Sequence, residues 1–407
     1  MRINIGSSGW WGAPKKFDKE IKDRRISWLE LFFDLVYVIA IARITHHLTL
    51  HISISGFLEY ASLFILIFWG WLNGSLYHDL HGSEGLRTRL ITLWQMMIIA
   101  AFAITIGQGG KIHFNTTIVL MIMQLLITYL WWSVGFYDKS HRRYSRPYVI
   151  FFLLAMALMG LSLYLSEQWL KIIVPLVIIC NYTPPFIAHR LLRRASTDLN
   201  LSSAMSERLG LFTIIVFGEL VLGVVNGISE INITNFSTWL NFAFAIAIVF
   251  ALWWIFFTLA SNREAKKGFV NATLLELLYI PTLISLGLIA ASFSDLFDDD
   301  HHSLQKVFGY AIAGFLTGIS LMMGLLEVPA KYLMIIQPVR RSLALTALIF
   351  LITSLININV DSLYYLIGVM VILLAEMFYL NSLYYGLGIN EGSAAEKEAQ
   401  HIIPGGP

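Results

Sequence analysis

The chain has 407 residues, of which 57% are hydrophobic and only 13% are charged, and its formal net charge is +2. Soluble domains carry about 25% charged residues, so this composition excludes a soluble globular protein. The single cysteine, Cys180, excludes an intramolecular disulfide. Because the polar, basic residues 1–27 contain no apolar run typical of a cleavable signal peptide, the first apolar run is expected to remain as a membrane helix.

Twelve stretches of the sequence are apolar and long enough to cross the hydrocarbon core of a bilayer, which takes about 20 helical residues. They predict an all-α integral membrane protein in which the pair Pro184-Pro185 kinks the sixth span. Residues 391–407, rich in Ala, Glu, Gly and Pro, predict a disordered tail. The spans are predicted at residues 28–48, 56–76, 89–108, 114–136, 148–166, 169–189, 207–228, 237–260, 271–293, 305–326, 341–357 and 362–386.

The positions of the basic residues define the predicted orientation of the spans. With the N-terminus in the cytoplasm, 24 of the 28 Lys and Arg residues fall on the cytoplasmic side, three fall in outer loops, and Arg43 lies inside the first span. Cytoplasmic loops of membrane proteins carry such an excess of positive charge. The alternation therefore predicts a multi-pass cell-membrane protein with both termini in the cytoplasm.

The sequence also indicates an internal repeat. A shift of 185 residues aligns Phe33-Asp34 with Gly218-Glu219, Trp69 with Trp254 and Asn73 with Thr258. Six spans are an even number, so both halves would enter the membrane in the same orientation, as a parallel repeat. The predicted organisation is a cytoplasmic basic arm (1–27), two six-helix repeats (28–190 and 207–386), a cytoplasmic linker (191–206) and a cytoplasmic tail (387–407).

Carboxylates inside membrane spans are costly and are therefore candidate functional groups. Glu30 and Asp34 lie one turn apart on the first span, and Glu219 and Glu376 lie deep in the seventh and twelfth. Each acid is open to two interpretations: a structural network of ion pairs and hydrogen bonds, or direct participation in transport, with Glu219 and Glu376 as proton carriers. The residues expected in the supporting polar network are Arg25, Asn73, Arg208 and Glu376.

Three basic side chains lie near the outer end of the first span: Arg43, His46 and His47. Arg43 follows Asp34 by nine residues, which places the two on opposite faces of one helix. Arg43 therefore either extends to the outer headgroups or lines a pore and pairs with another helix.

Motifs of enzymes, cofactors and metal sites are absent from the sequence. It contains no nucleotide-binding glycine loop, nucleophile elbow or His-Glu-x-x-His motif, and the predicted loops are too short for a catalytic domain. The segments Tyr77-His78-Asp79-Leu80-His81 and His301-His302 lack the spacing of a zinc site and are interpreted as solvated loops. We therefore expect no enzyme activity, no cofactor, no metal site and no nucleic-acid partner.

Two motifs resemble the bacterial low-temperature-requirement A (LtrA) family: Trp28-Leu-Glu-Leu-Phe-Phe-Asp34-Leu-Val-Tyr-Val and Ser206-Glu207-Arg208-Leu-Gly-Leu-Phe-Thr-Ile-Ile-Val-Phe-Gly218-Glu219. The resemblance covers residues 24–385 and implies a multi-pass protein of the bacterial inner membrane. Thr258 stands where the family commonly has an acid, so any role of that acid is in doubt. The acids that lie in the two motifs are Glu30, Asp34, Glu207 and Glu219.

A more distant resemblance concerns Phe33-Asp34 together with Trp69-Gly-Trp71-Leu-Asn73, which are similar to the potassium channels marked by a Phe-Ser-Asp motif. That family implies that the motif acid braces the helices while an isoleucine narrows the pore. The matching positions here are Ile39 and Val224. Phe33 and Gly218 replace the serine, and an arginine on the same face as Ile39 argues against easy cation conduction.

Three functional hypotheses follow from the sequence. The first is an ion channel or ion-permeation protein, a homodimer with the first and seventh spans around the pore. The second is a proton-coupled secondary transporter of a small solute, with Glu219 and Glu376 as proton sites. The third is a membrane protein of stress adaptation that transports nothing. The expected partners are membrane lipids, an inorganic ion or small solute, and a second copy of the chain.

Overall fold

A computed structural model describes residue 14 and residues 26–50, 52–82, 85–106, 112–139, 141–192, 201–229, 235–261, 263–297, 303–356 and 360–401. Over these ranges the chain forms α-helices joined by short connections. The helices are α1 (Trp28–Leu50), α2 (Ile54–His81), α3 (Leu86–Thr105), α4 (Ile112–Tyr137), α5 (Arg142–Ser162), α6 (Glu167–Tyr182), α7 (Pro184–Leu192), α8 (Ser203–Ser229), α9 (Phe236–Leu259), α10 (Phe269–Asp295), α11 (Ser303–Met322), α12 (Leu333–Ile356) and α13 (Ser362–His401).

The predicted all-α membrane fold is confirmed. Eleven segments are long and apolar enough to cross a membrane, and one of them combines α6 and α7. The remaining helix, α1, is 23 residues long, enough to cross a bilayer, and carries Glu30, Asp34 and Arg43. We count α1 with the eleven segments, so that α8 is the seventh span. We call the membrane face at which α1 begins the near side and the opposite face the far side.

Several helices run past their predicted ends. The helix α12 begins at Leu333 instead of 341, because Arg340 and Arg341 lower the apolarity of this stretch; the structure accommodates Arg340 through a hydrogen bond from its Nε to the Ser320 carbonyl at 2.9 Å. The helix α2 continues to His81, so that His78 and His81 are 3% exposed and do not lie in a solvated loop. His78 shares a hydrogen bond with the Thr92 hydroxyl. The tail is helical to His401, in keeping with the high helix propensity of its Ala, Glu and Lys residues.

The two halves of the chain pack their helices in the same order. In the first half α1 lies against α2 and α3, and α3–α4, α4–α5 and α5–α6 follow, with α6 returning to α2. In the second half α8 lies against α9 and α10, and α10–α11, α11–α12 and α12–α13 follow, with α13 returning to α9. The halves meet where α1 and α2 contact α8 and α10. The two halves therefore share one packing order, and their division into two six-helix repeats stays a prediction.

The pattern of buried and exposed residues changes the alignment between the first helices of the two halves, α1 and α8. The offset of 185 pairs buried with buried residues in α2 and α9, but in α1 and α8 it pairs the buried Phe33 with the exposed Gly218. An offset of 179, the distance from Leu50 to Ser229 at the two helix ends, matches buried with buried positions along both helices. The connection from α8 to α9 is therefore longer than that from α1 to α2. In this register Asp34 corresponds to Thr213 and not to Glu219.

The predicted kink in the sixth span is present between Tyr182 and Pro184. Pro185 has no N–H to bond the backbone carbonyl of Asn181. The indole Nε1–H of Trp69 donates to that carbonyl at 3.1 Å and so fixes the broken helix to α2. Asn181 also accepts from the Gln124 amide at 2.9 Å. The break is thus held by side chains from two neighbouring helices.

Replacing Trp69 with phenylalanine should lower the free energy of unfolding by about 1–3 kcal/mol, because it leaves a buried carbonyl without a donor. Reversible unfolding in lipid bicelles measures the change. Trp254→Phe is the matched control, since Trp254 is half-buried and donates no hydrogen bond to any residue described in the structure. Equal losses in the two variants would contradict the role of the indole N–H.

Candidate functional site

A buried ion pair joins the two halves on the near side of the membrane. Asp34 on α1 is 0% exposed and Arg208 on α8 is 2% exposed. Arg208 donates from Nη2 to Oδ1 of Asp34 at 2.5 Å and from Nε to Oδ2 at 3.2 Å. Trp71 on α2 donates its indole N–H to the same Oδ1 at 2.7 Å. The carboxylate therefore receives three hydrogen bonds, two of them from the other half.

Aromatic rings enclose this ion pair. The guanidinium carbon of Arg208 lies 5.7 Å from the ring centroids of both Phe33 and Trp71, within the range of cation–π attraction. Phe212, one turn after Arg208, packs against Trp71 at 4.5 Å between centroids. Excluding water in this way strengthens the attraction between the charges. The cluster agrees with the interpretation of Asp34 as a brace between helices.

Glu30 closes the near end of the same cluster. Its Oε1 lies 3.8 Å from Nη1 of Arg208. Its Oε2 accepts from the backbone N–H and the hydroxyl of Ser27, both at 2.9 Å, while the Ser27 hydroxyl accepts from the Glu30 N–H. This reciprocal pair caps the start of α1. Arg25, the other basic residue expected here, lies outside the described residues.

A second polar cluster lies between the halves toward the far side. The hydroxyls of Thr45 on α1 and Tyr60 on α2 are buried and interact with each other, and neither forms a hydrogen bond of normal geometry in the described part of the chain. Both lie close to Gly287 on α10. Glu219 on α8 is half-buried and interacts electrostatically with the Tyr60 hydroxyl. We call Thr45, Tyr60, Glu219 and Gly287 the interface cluster.

The absence of a side chain at Gly287 makes room for the Tyr60 hydroxyl. A Cβ atom there would overlap Tyr60 Oη and lie 3.5 Å from Thr45 Oγ1. Gly287→Ala should therefore cost about 1–3 kcal/mol of stability through overpacking, measured as a lower Tm in detergent. Tyr60→Phe should restore part of the loss by removing the overlapping atom. Gly368→Ala is the control, because a Cβ there meets nothing within 4 Å, and an equal loss in this variant would contradict the explanation.

The two residues matched to a pore constriction occupy different environments. Ile39 is 51% exposed, whereas Val224 is fully buried, beside Gly223, where α8 packs against the backbone of Ala290 on α10. They therefore do not line one passage within this chain. The difference follows from the register of 179, in which Ile39 corresponds to Gly218.

Ile39 belongs to an exposed stripe along α1. Arg43 and His46 lie on this stripe, opposite Asp34 as helical spacing predicts, whereas His47 turns toward α2 and lines a cavity with Glu59. The stripe consists of Trp28, Phe32, Leu35, Ile39, Arg43, His46 and Leu50. It faces away from the rest of the protein and so faces lipid or a partner.

The other predicted residues lie apart from the two clusters. Glu376 on α13 accepts from the Ser342 and Thr346 hydroxyls of α12 at 2.6 and 2.8 Å, and so links two helices within the second half. Asn73 donates to the Trp69 carbonyl and accepts from the Trp131 indole, within the first half. Glu207 is exposed in the second turn of α8. In the described ranges no group of three or more His, Cys, Asp or Glu residues is placed to hold a metal ion.

Sequence reasoning missed Thr45, Tyr60 and Gly287, since single hydroxyls and a glycine in apolar helices give no recognisable pattern. It also undervalued Glu276 on α10, which is 7% exposed and lies in electrostatic range of Asp79 on α2. Its position inside an apolar span was the only available signal. Acids from α1, α8 and α10 thus lie along the boundary between the halves.

The arrangement of motifs matches one known family over most of the chain. The profile described as "Bacterial low temperature requirement A protein (LtrA)" matches residues 25–378. The chain belongs to the LtrA family. Both clusters fall inside the matched range. The chain is also similar to a protein of Rhizobium meliloti (strain 1021), "Uncharacterized protein RA0937", with 27% identity over 267 residues. That match covers 61% of this chain and 63% of the Rhizobium protein, which is less than two thirds of its length.

Proposed function

We propose that this LtrA protein moves a small ion across the membrane along the boundary between its halves, with Glu219 as the ion-binding carboxylate. The observation that carries the proposal is the interface cluster. It combines a carboxylate that receives no hydrogen bond from any described residue with two buried hydroxyls that form no hydrogen bond of normal geometry there and interact with each other. The path lies beside the first and seventh spans, α1 and α8.

The energetic reason is the cost of such groups in a membrane. A carboxylate near the centre of a span costs about 2.5–3.5 kcal/mol on insertion scales, and a buried hydroxyl that lacks a well-formed hydrogen bond adds up to about 1–3 kcal/mol. Water or a bound ion at this place would offset these costs. Transporters built from repeats commonly place their ion sites at the boundary between the repeats.

The near-side ion pair gives the proposed path a closed end. With the near side in the cytoplasm, as the basic residues predict, Asp34 and Arg208 close the boundary toward the cytoplasm while Glu219 lies toward the outer side. Passage of an ion would then require the aromatic enclosure of Arg208 to open. The Glu219 carboxylate would equally serve a proton-coupled carrier of a small solute.

A second candidate is a pore between two copies of the protein, lined by the exposed stripe of α1. The observation that favours it is Arg43, which lies seven residues from the far end of α1, about 10 Å at 1.5 Å per residue. No acid among the described residues pairs with it. A partner copy would cover this charge. Arginine in a pore mouth favours anions, so such a pore would conduct anions.

Flux through proteoliposomes tests these functions. The purified protein is reconstituted, and potassium, sodium, chloride and proton fluxes are measured separately. Ion flux that needs no second solute supports permeation. Solute uptake driven by a pH gradient supports the coupled carrier instead. Absence of any flux from protein that is shown to be folded would overturn both and leave the hypothesis of a membrane protein that transports nothing.

A further inference from the structure

A cavity of about 530 Å³ opens among α2, α4, α5 and α6 in the far half of the membrane. Its volume falls within the range of about 300–1,000 Å³ that is usual for ligand sites. The cavity lies in the first half of the protein, away from both polar clusters. Its apolar wall and floor are formed mainly by Leu63, Leu66, Leu120, Met159, Ile173 and Val177.

The rim of the cavity carries both signs of charge. Glu59 lies in the second turn of α2 and Lys171 in the second turn of α6, and both line the cavity. Each stands within about 8 Å of the far end of its helix at 1.5 Å per residue, which is the level of the lipid headgroups. Lys171 is exposed and Glu59 is half-buried. A ligand with one positive and one negative group matches this rim.

A backbone acceptor adds to the rim. Pro175 lines the cavity inside α6 and has no N–H. The backbone carbonyl of Lys171, four residues earlier, therefore loses its helical donor. A carboxylate and a carbonyl that lacks its helical donor together suit a group with several N–H donors. This favours a primary ammonium over a quaternary one, which has no N–H to donate.

The floor of the cavity is closed by a fixed structure. One helical turn below Leu66, Leu120 and Val177 lie Trp69, Gln124 and Asn181, which are joined by the hydrogen bonds that hold the broken helix. All three side chains are at most 2% exposed. An apolar chain that enters from the far side therefore ends near the middle of the membrane, as a lipid acyl chain does.

We propose that this cavity binds phosphatidylethanolamine of the outer leaflet, with one acyl chain inside. The ammonium group lies at Glu59 and the Lys171 carbonyl, and the phosphate lies at the Lys171 side chain. The apolar wall takes the acyl tail by the hydrophobic effect. The site does not depend on the proposed ion path.

The test is lipid retention by the full-length protein. The protein is equilibrated in vesicles with equal parts of phosphatidylethanolamine, phosphatidylcholine and phosphatidylglycerol, purified in mild detergent, and its retained lipids are quantified by mass spectrometry. We expect phosphatidylethanolamine to be enriched at least threefold over both others. Glu59→Gln should abolish the enrichment. Val174→Phe, which fills the cavity from α6, should reduce the total retained lipid.

A similarly placed but smaller cavity provides the control. It lies among α11, α12 and α13 with Lys306 at its rim and has a volume of about 180 Å³. Lys306→Gln should leave retention unchanged. Equal retention of the three lipids by the unmodified protein would overturn the proposal, as would selective retention of phosphatidylglycerol. Enrichment of phosphatidylethanolamine that survives both Glu59→Gln and Val174→Phe would also overturn the proposal. Unchanged Tm values show that the variants are folded.

Discussion

Replacing Arg208 with methionine should lower the free energy of unfolding by about 3–5 kcal/mol, because it leaves the Asp34 carboxylate buried with only the Trp71 indole as donor. The loss exceeds that of an exposed ion pair, which is worth about 0–1 kcal/mol. The enclosing rings of Phe33 and Trp71 prevent water from replacing the guanidinium. Reversible unfolding in bicelles measures the change.

The matched control for this substitution is Arg190→Met. Arg190 is exposed in the last turn of α7, so its loss should change stability by less than about 0.5 kcal/mol. The double variant Asp34→Asn/Arg208→Met should lose less than the sum of the single losses, since the uncompensated charge is gone. A purely additive double variant, or equal effects at Arg208 and Arg190, would contradict the brace between the halves.

Replacing Glu219 with glutamine should reduce ion flux at least tenfold and leave stability within about 1 kcal/mol, the range of a substitution that breaks no specific contact. The carboxylate accepts no hydrogen bond from the described residues and has no ion pair there. An amide of the same shape preserves packing but removes the charge that binds an ion. The measurement is flux through proteoliposomes alongside Tm in the same detergent.

Glu207→Gln controls for the loss of a carboxylate from the same helix. Glu207 is exposed at the near end of α8, three turns before Glu219. Its substitution should leave flux within about twofold of the unmodified protein. Equal reduction by both substitutions would point to a general effect of surface charge, and unchanged flux in Glu219→Gln would remove Glu219 from the ion path.

The sequence was sufficient for the all-α membrane fold, because most spans are independent apolar runs that are long enough to cross a bilayer. It also placed Arg208, together with Arg25, among the residues expected to support the acids of the first span, since a carboxylate in a membrane span needs compensation. The pairing itself, and the contribution of Trp71, depend on how α1, α2 and α8 meet in space. Those contacts are separated by up to 174 residues in the sequence, and no local pattern encodes them.

The register of the repeat could not be obtained from the sequence for a different reason. A single offset of 185 fits α2 and α9, but the longer connection after α8 shifts the first helices by six residues. In apolar helices almost any shift aligns one hydrophobic residue with another. The sequence alone therefore does not reveal the extra residues in the connection between α8 and α9. Burial distinguishes the shifts because six residues rotate a helix by about 120°. The offset of 185 therefore aligns Asp34 with Glu219, although the two residues lie in different surroundings.

Thiol accessibility tests most directly whether the ion path lies between the halves. In a Cys180→Ser background, Thr45→Cys places a thiol in the interface cluster and Ile39→Cys places one on the exposed stripe of α1. The proposed path predicts that a charged, membrane-impermeant thiol reagent blocks flux through Thr45→Cys and leaves flux through Ile39→Cys unchanged. Block of Ile39→Cys with Thr45→Cys unaffected would contradict this path and place conduction between two copies of the protein.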